Sequence, residues 1–247
     1  MWVVDEALAV VVGLYLSVRI VPRNGLGIDR VFASPRSSTS ANIYSSAANF
    51  YSSTPSYRAC LACATYHQNV TPTITTERLT LRAWSDADAE PFAAMNSDLD
   101  VMRYFPRPLT REESFAMVER IRVRWNDGWG LWAVERNDTQ EFIGFVGFSQ
   151  PRFDAHFTPC VEIGWRLSAP SWGQGFATEA ALAALAWGRE YIDFPRNEVV
   201  SFTAATNVSS RRVMEKIGMS RDPADDFAHP TVEDPALRAH VLYRLAL

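Results

Sequence analysis

Between Val161 and Ala180 the chain reads VEIGWRLSAPSWGQGFATEA, with Gly173, Gly175 and Ala177 where small residues let a backbone curl. Such a curl turns successive N–H groups outward at the start of a helix. Those donors have no intrahelical partner and the helix dipole adds positive potential, so the place suits a phosphate. A second strand-loop-helix pattern follows about forty residues later and ends in NVSSRRVMEKIGM. Other chemistry-bearing residues are sparse. Cys60 and Cys63 have metal-knuckle spacing, but no second CxxC or neighbouring His pair completes a ligand set. His67, His156, His229 and His240 are scattered without ligand spacing, so no metal is expected. Three cysteines make no disulfide framework, which points to a reducing compartment and a cytoplasmic protein.

The elements that must hold these loops can be read from periodicity. Arg78 to Trp84 alternates and predicts a strand with Leu79 and Leu81 on one face. Ser85 then caps a helix whose first turn is acidic, as the dipole prefers. Thr110 and Glu113 form a capping-box pattern that opens a second helix, with Phe115, Val118, Ile121 and Val123 or Trp125 inward. Leu131–Glu135 and Phe142–Ser149 read as a hairpin around Asn137–Gln140. Val161–Leu167 is the next strand, Thr178–Tyr191 a long helix, Val199–Ala205 a strand, Asn207–Ile217 a short helix and His240–Leu245 a closing strand. Strands and helices mix without strict alternation, which predicts an α+β fold with one mixed, mostly antiparallel sheet.

Charge divides the chain. Residues 1–72 carry five arginines against three acids, whereas residues 73–247 carry 19 basic against 25 acidic residues, a net −6. An acidic domain is a poor partner for nucleic acid. Ala7–Val18 is apolar but too short to span a bilayer, so no membrane partner is expected. From Arg30 to Thr76 there is no acidic residue and Ser and Thr dominate. Residues 1–72 therefore read as a low-complexity, disordered leader; an organelle transit peptide and a misplaced start fit the same composition.

Four pieces in order, TERLTLRAW, LWAVERNDTQEFIGFVGF, EIGWRLSAPSWGQGFATEA and NVSSRRVMEKIGM, give residues 73–247 a resemblance to the GNAT superfamily of acyl-CoA-dependent N-acetyltransferases. Within it the chain resembles the Rim-type branch of ribosomal-protein N-terminal acetyltransferases. The resemblance implies a central sheet splayed at a cofactor cleft and flanked by helices. It implies acetyl-CoA as acyl donor, no metal, and an amine acceptor, either a protein N-terminus or a small molecule. A monomer or a homodimer fits equally.

Carried over residue by residue, the diphosphate of the cofactor would rest on backbone N–H groups of Gln174, Gly175, Phe176, Ala177 and Thr178. Backbone groups of Trp165, Arg166 and Leu167 would bond its pantetheine arm, with the Leu167 N–H polarising the thioester carbonyl. Asn207 would meet the pantetheine amides, and Arg212, with Arg211, the nucleotide phosphates. Many relatives begin the loop with Gln or Arg where this chain has Trp172, and carry a Tyr acid where it has Met214. Ser210 then becomes the proton donor to the leaving thiolate, directly or through water; a helix cap and protonation from solvent are its rivals. Glu162 is the candidate base for the amine, against an orienting role or a solvated sheet position. Trp84, Trp125, Trp129, Trp132 and Tyr104 could line the acceptor cleft or fill the core, and Asp154 and His156 could touch the amine or stay in solvent. The missing Tyr also leaves room for an acyl-CoA sensor that binds without turnover. Cys160 is a weaker candidate, as an acyl-carrying nucleophile.

Overall fold

The computed structural model describes residues 71–247. The leader reading for the preceding segment, and the Cys60–Cys63 pair, lie outside the described residues.

Strands β1 (Ile74–Thr75) and β2 (Leu79–Arg82) open the domain, and helices α1 (Ala89–Ser97) and α2 (Arg111–Arg124) follow. The hairpin β3 (Leu131–Arg136) and β4 (Phe142–Ser149) leads to β5 (Glu162–Leu167) and the long helix α3 (Phe176–Tyr191). Then come β6 (Glu198–Ala204), α4 (Val208–Lys216), the two-residue strands β7 (Ser220–Arg221) and β8 (Phe227–Ala228), the single turn α5 (Pro235–Arg238), and β9 (Ala239–Ala246). The sheet runs β1-β2-β3-β4-β5-β6-β9-β7, with β8 also against β9. Every pairing is antiparallel except β5 with β6. The α+β expectation holds.

Alternation explains the two faces. Leu79 and Leu81 are fully buried beneath α3, together with Trp132, Val134, Val146, Phe148 and Ile163. The helix α3 meets them with Phe176, Ala180, Ala181, Ala184 and Leu185, small residues that let it lie close to the sheet. On the other face α1 brings Phe92 against Trp84 and Phe145, with ring centroids 5.0 and 6.0 Å apart.

Caps set the helix starts. Thr110 and Glu113 make the reciprocal box, Glu113 N–H donating to Thr110 Oγ1 at 3.2 Å and Thr110 N–H to Glu113 Oε2 at 2.8 Å. Ser85 caps a 3-10 turn at Asp86–Asp88, which precedes α1. In α2 the inward face follows the periodic reading at Val118, Ile121 and Trp125 and departs from it at Phe115, which is half-buried with Arg111 over its ring. Val123 is 64% exposed and Trp125 takes the buried position, while Met117 and Ser114 also point in.

β9 brings together two histidines that the sequence keeps apart. Phe227 pairs with His240, and His229 and His240 lie with ring centroids 4.9 Å apart among Phe153, Phe202 and Phe227. Both imidazoles are buried, and each Nε2 has no hydrogen-bond partner among the described residues. Burial pushes His229 down to about 3 and His240 to about 4. A histidine kept neutral by the fold takes up its proton only on unfolding. Stability from this pair is therefore full above the ordinary histidine range and falls as pH drops from ~6.5 toward ~4. Denaturant titrations should show wild type losing about 5 kcal/mol more between pH 7.5 and pH 4.5 than the His229→Phe/His240→Phe variant.

Candidate active site

β5 and β6 touch at one residue pair, Glu162 with Val200, where Val200 N–H donates to Val161 C=O at 3.0 Å. Beyond it the strands part. The register of β5 on β4, with Ser168 N–H donating to Ile143 C=O at 2.9 Å, assigns the peptides of Glu162, Gly164 and Arg166 to β4. The peptides of Trp165 and Leu167 consequently face the parting. On its other wall the register of β6 on β9 turns the Phe202 peptide inward. The result is a cleft of about 410 Å³, within the range of small-molecule sites. This geometry changes one expectation: Arg166 has its backbone committed to Phe145 on β4, so Trp165 and Leu167 are the residues whose peptides can serve an extended ligand.

The mouth of the cleft is the loop before α3. Gly173 and Gly175 adopt φ of 73° and 84°, the left-handed region that β-carbon sterics disfavour. Gly175 is the N-cap of α3 and supplies no side-chain cap, and the first intrahelical bond is Glu179 N–H to Gly175 C=O at 3.0 Å. The N–H groups of Phe176, Ala177 and Thr178 therefore precede the first helical partner and stand ready for an anion. Gln174 does a different job. Its carbonyl accepts from Arg78 at 2.9 Å and its amide donates to Pro170 C=O at 2.9 Å, and it does not line the cleft. Glu179 holds this clamp by accepting from Thr76 Oγ1 (2.7 Å), Arg78 N–H (3.0 Å) and Arg78 Nε (2.7 Å). Trp172 donates its indole N–H to Leu167 C=O at 2.9 Å, which ties the loop to the end of β5.

At the apex of the wedge sits Glu162, 5% exposed. Ser149 Oγ donates to its Oε2 at 3.2 Å. Burial dominates and raises its pKa above the ordinary carboxylate value, with the Ser149 hydrogen bond opposing. Neighbouring Cys160 is buried and its thiol is pushed up to about 12, by burial first and by Glu162 next. A thiol so protonated is a poor nucleophile at neutral pH.

α4 forms the far wall. Asn207 is its N-cap, with Oδ1 accepting from Ser210 N–H at 3.2 Å and Nδ2 donating to Thr203 Oγ1 at 3.0 Å. The cap is thus Asn207, whose amide is engaged at both ends within the chain, and Ser210 stands in the first turn on the cleft wall. Arg211 turns away, to Ala205 C=O at 3.1 Å and the Tyr243 hydroxyl at 3.4 Å. Arg212 lines the cleft, and Lys216, one turn further, joins it. Their i, i+4 spacing was the available signal for Lys216. Met214 is buried in the core.

Of the aromatic candidates, Trp84, Trp125 and Trp132 are core residues and Trp129 packs against the core, while Tyr104 lines the cleft. Asp154 and His156 do not line it; His156 Nε2 lies 3.4 Å from Asp225. The loop after α1, with Asp100, Arg103 and Phe105, supplies a wall that periodicity could not reveal. No group of three or more potential metal ligands occurs among the described residues. No helix among them is long and apolar enough to cross a membrane.

A sheet parted at a parallel junction, with an uncapped helix start at its mouth, offers unpaired strand peptides to an extended ligand and free N–H donors to an anionic group. The chain belongs to the GNAT acetyltransferase family: residues 78–220 match the acetyltransferase (GNAT) domain. It is 30% identical over 154 residues to the uncharacterized N-acetyltransferase YoaA of Bacillus subtilis, spanning 61% of this chain and 84% of that one. It is 29% identical over 157 residues to an Aspergillus fumigatus FsC-acetyl coenzyme A-N(2)-transacetylase, over 60% of this chain and 65% of the relative. A Bacillus anthracis GNAT acetyltransferase structure superposes with TM-score 0.59 at 26% identity, covering 71% of this chain and 98% of that chain. The protein is an acetyl-CoA-dependent acetyltransferase.

Proposed function

We propose that the chain transfers the acetyl group of acetyl-CoA to a primary amine by direct attack, both reactants being bound together. The observation that carries this reading is Glu162, a buried carboxylate at the apex where β5 and β6 part. The bound acetyl-CoA supplies an electrophilic thioester carbonyl. Glu162 takes a proton from the entering ammonium, directly or through water, because only the neutral amine attacks. An α-amine, with pKa near ~7.7–8.0, needs less help than an alkyl amine near ~10.4. The Leu167 N–H, turned into the parting, draws on the carbonyl oxygen as charge develops there. As the N–C bond forms and the C–S bond breaks, the nitrogen gives up its remaining extra proton and Ser210 Oγ passes one to sulfur, so that amide, thiol and Ser210 all end neutral.

Phe176, Ala177 and Thr178 N–H groups hold the diphosphate, and Arg212 with Lys216 faces the nucleotide end. Trp172 is common at its place in the Rim-type branch, and that likeness favours a protein α-amine as acceptor over a small amine. We assign the protein to the cytoplasm, as a monomer or homodimer.

Calorimetry with coenzyme A, paired with thiol release from acetyl-CoA over a panel of amines and peptides, tests the reading. Binding heat and amine-dependent thiol release are expected. Heat without release across the panel would make the chain a sensor, and absence of heat would overturn the cleft assignment.

A further inference from the structure

Among the described residues Arg166 is the one buried arginine, and it lies on the cleft without a counter-charge. Two part-buried arginines have acidic partners: Arg82 sits 2.7 Å from both Asp88 and Glu135, and Arg244 is 2.7 Å from both Glu198 and Asp225. Arg166 is only 4% exposed, yet no acidic side chain pairs with it among the described residues. One terminal nitrogen donates to Asn96 Oδ1 at 2.6 Å, and Asn96 in turn donates to Ser114 Oγ at 3.1 Å, so the chain of partners is neutral. Its Nε is buried and has no partner. The guanidinium carbon lies over the rings of Phe105 and Phe145, at 4.1 and 5.5 Å from their centroids.

A charge kept this dry is costly unless something compensates it. Burial lowers the pKa of Arg166 to about 9, which still leaves it cationic at neutral pH. Its fork of donors matches a carboxylate or a phosphate in two-point fashion. The position fits a substrate contact. Glu162, Gly164 and Arg166 share one face of β5 by alternation and all line the cleft, with Gly164 leaving the space between them open.

Resting on the amine-acetylation reading above, we propose that the acceptor carries an anionic group set apart from its amine, and that Arg166 receives it. The two sites are four residue steps apart along β5, about 13 Å of backbone at ~3.3 Å per residue. The guanidinium stays over Phe145, its opposite number on β4, and does not lean toward Glu162. The carboxylate of an α-amino acid is too close to its own nitrogen to serve both ends. The fitting classes are an ω-amino acid, or a peptide with an acidic side chain a few residues after its free N-terminus.

Matched acceptors distinguish these sources: ε-aminocaproate against its amide, and Ala-Ala-Glu amide against Ala-Ala-Gln amide. The wild-type enzyme is expected to favour the charged member of at least one pair by about tenfold or more in kcat/KM. Preference within the first pair alone identifies a small acid, and within the second a peptide. Arg166→Met should bring the ratio close to one, and Arg166→Lys should retain part of it. Equal use of charged and neutral members by wild-type enzyme overturns the inference while leaving amine acetylation intact. Retention of the full preference by Arg166→Met overturns the assignment to this residue. Should the Met variant fail to bind coenzyme A in calorimetry, the wild-type ratio and the Lys variant decide. Coenzyme A binding without thiol release from any acceptor overturns the transfer reading, and this one with it.

Discussion

Glu162→Gln is expected to lower kcat by about 10²–10⁴-fold while the affinity for coenzyme A stays within a few-fold. The side chain keeps its size and can still accept from Ser149, so the wall of the cleft is preserved. What disappears is the proton acceptor. Because burial raises the Glu162 pKa, wild-type kcat should climb with pH through that raised value, and the variant should lose this limb of the profile. Stability should move the opposite way. A carboxyl with a folded-state pKa above its unfolded value makes the native protein bind more protons than the unfolded chain. It therefore removes stability as pH rises past the ordinary carboxylate range, and at neutral pH the Gln variant should melt higher than wild type. A variant less active but more stable is the signature of a functional charge held against its solvation preference. Activity and melting temperature falling together would instead make Glu162 a structural residue.

Gly175→Asp should raise the dissociation constant for acetyl-CoA by about 100-fold or more, read by calorimetry. Two effects add. The N-cap of α3 stands at φ 84°, where a side chain costs roughly 1–2 kcal/mol and distorts the N–H groups that follow. A carboxylate there also faces the diphosphate and takes up the helix-start donors itself. Gly175→Ala separates the two, since it carries the strain without the charge. Its loss of affinity should be the smaller by about tenfold, and raising the salt concentration should narrow the gap. Equal losses would mean that backbone conformation alone governs the cradle.

Much of this architecture was legible because it rests on local rules. The Thr110–Glu113 box, the alternation of Leu79 with Leu81 and the glycines before α3 each declare a cap, a face or a turn within a few residues. The motif order then gave the fold, and the parting of β5 from β6 after Glu162 appears where the resemblance implies it. What stayed hidden depends on partners distant in sequence. Arg166 reads as one more alternating polar residue until α1 brings Asn96 to it across 70 positions. Asn207 lines the cleft, and its added work of capping α4 and bonding Thr203 shows only in the fold. Strands β7 and β8, two residues each, are too short for any period and exist only because β9 offers them an edge. The loop of Tyr104 and Phe105 has no period either, and it becomes a wall through packing alone.

The single contact between β5 and β6 has a consequence for the protein's life before it meets its donor. Beyond that contact, and apart from the Leu167 carbonyl held by Trp172, each side of the gap is a strand border without a strand partner, a template for an extended segment. An extended occupant closes both borders at once, much as a missing strand would. With acetyl-CoA in the gap as proposed, the purified protein is expected to clump more slowly on warming than without it, as light scattering would show.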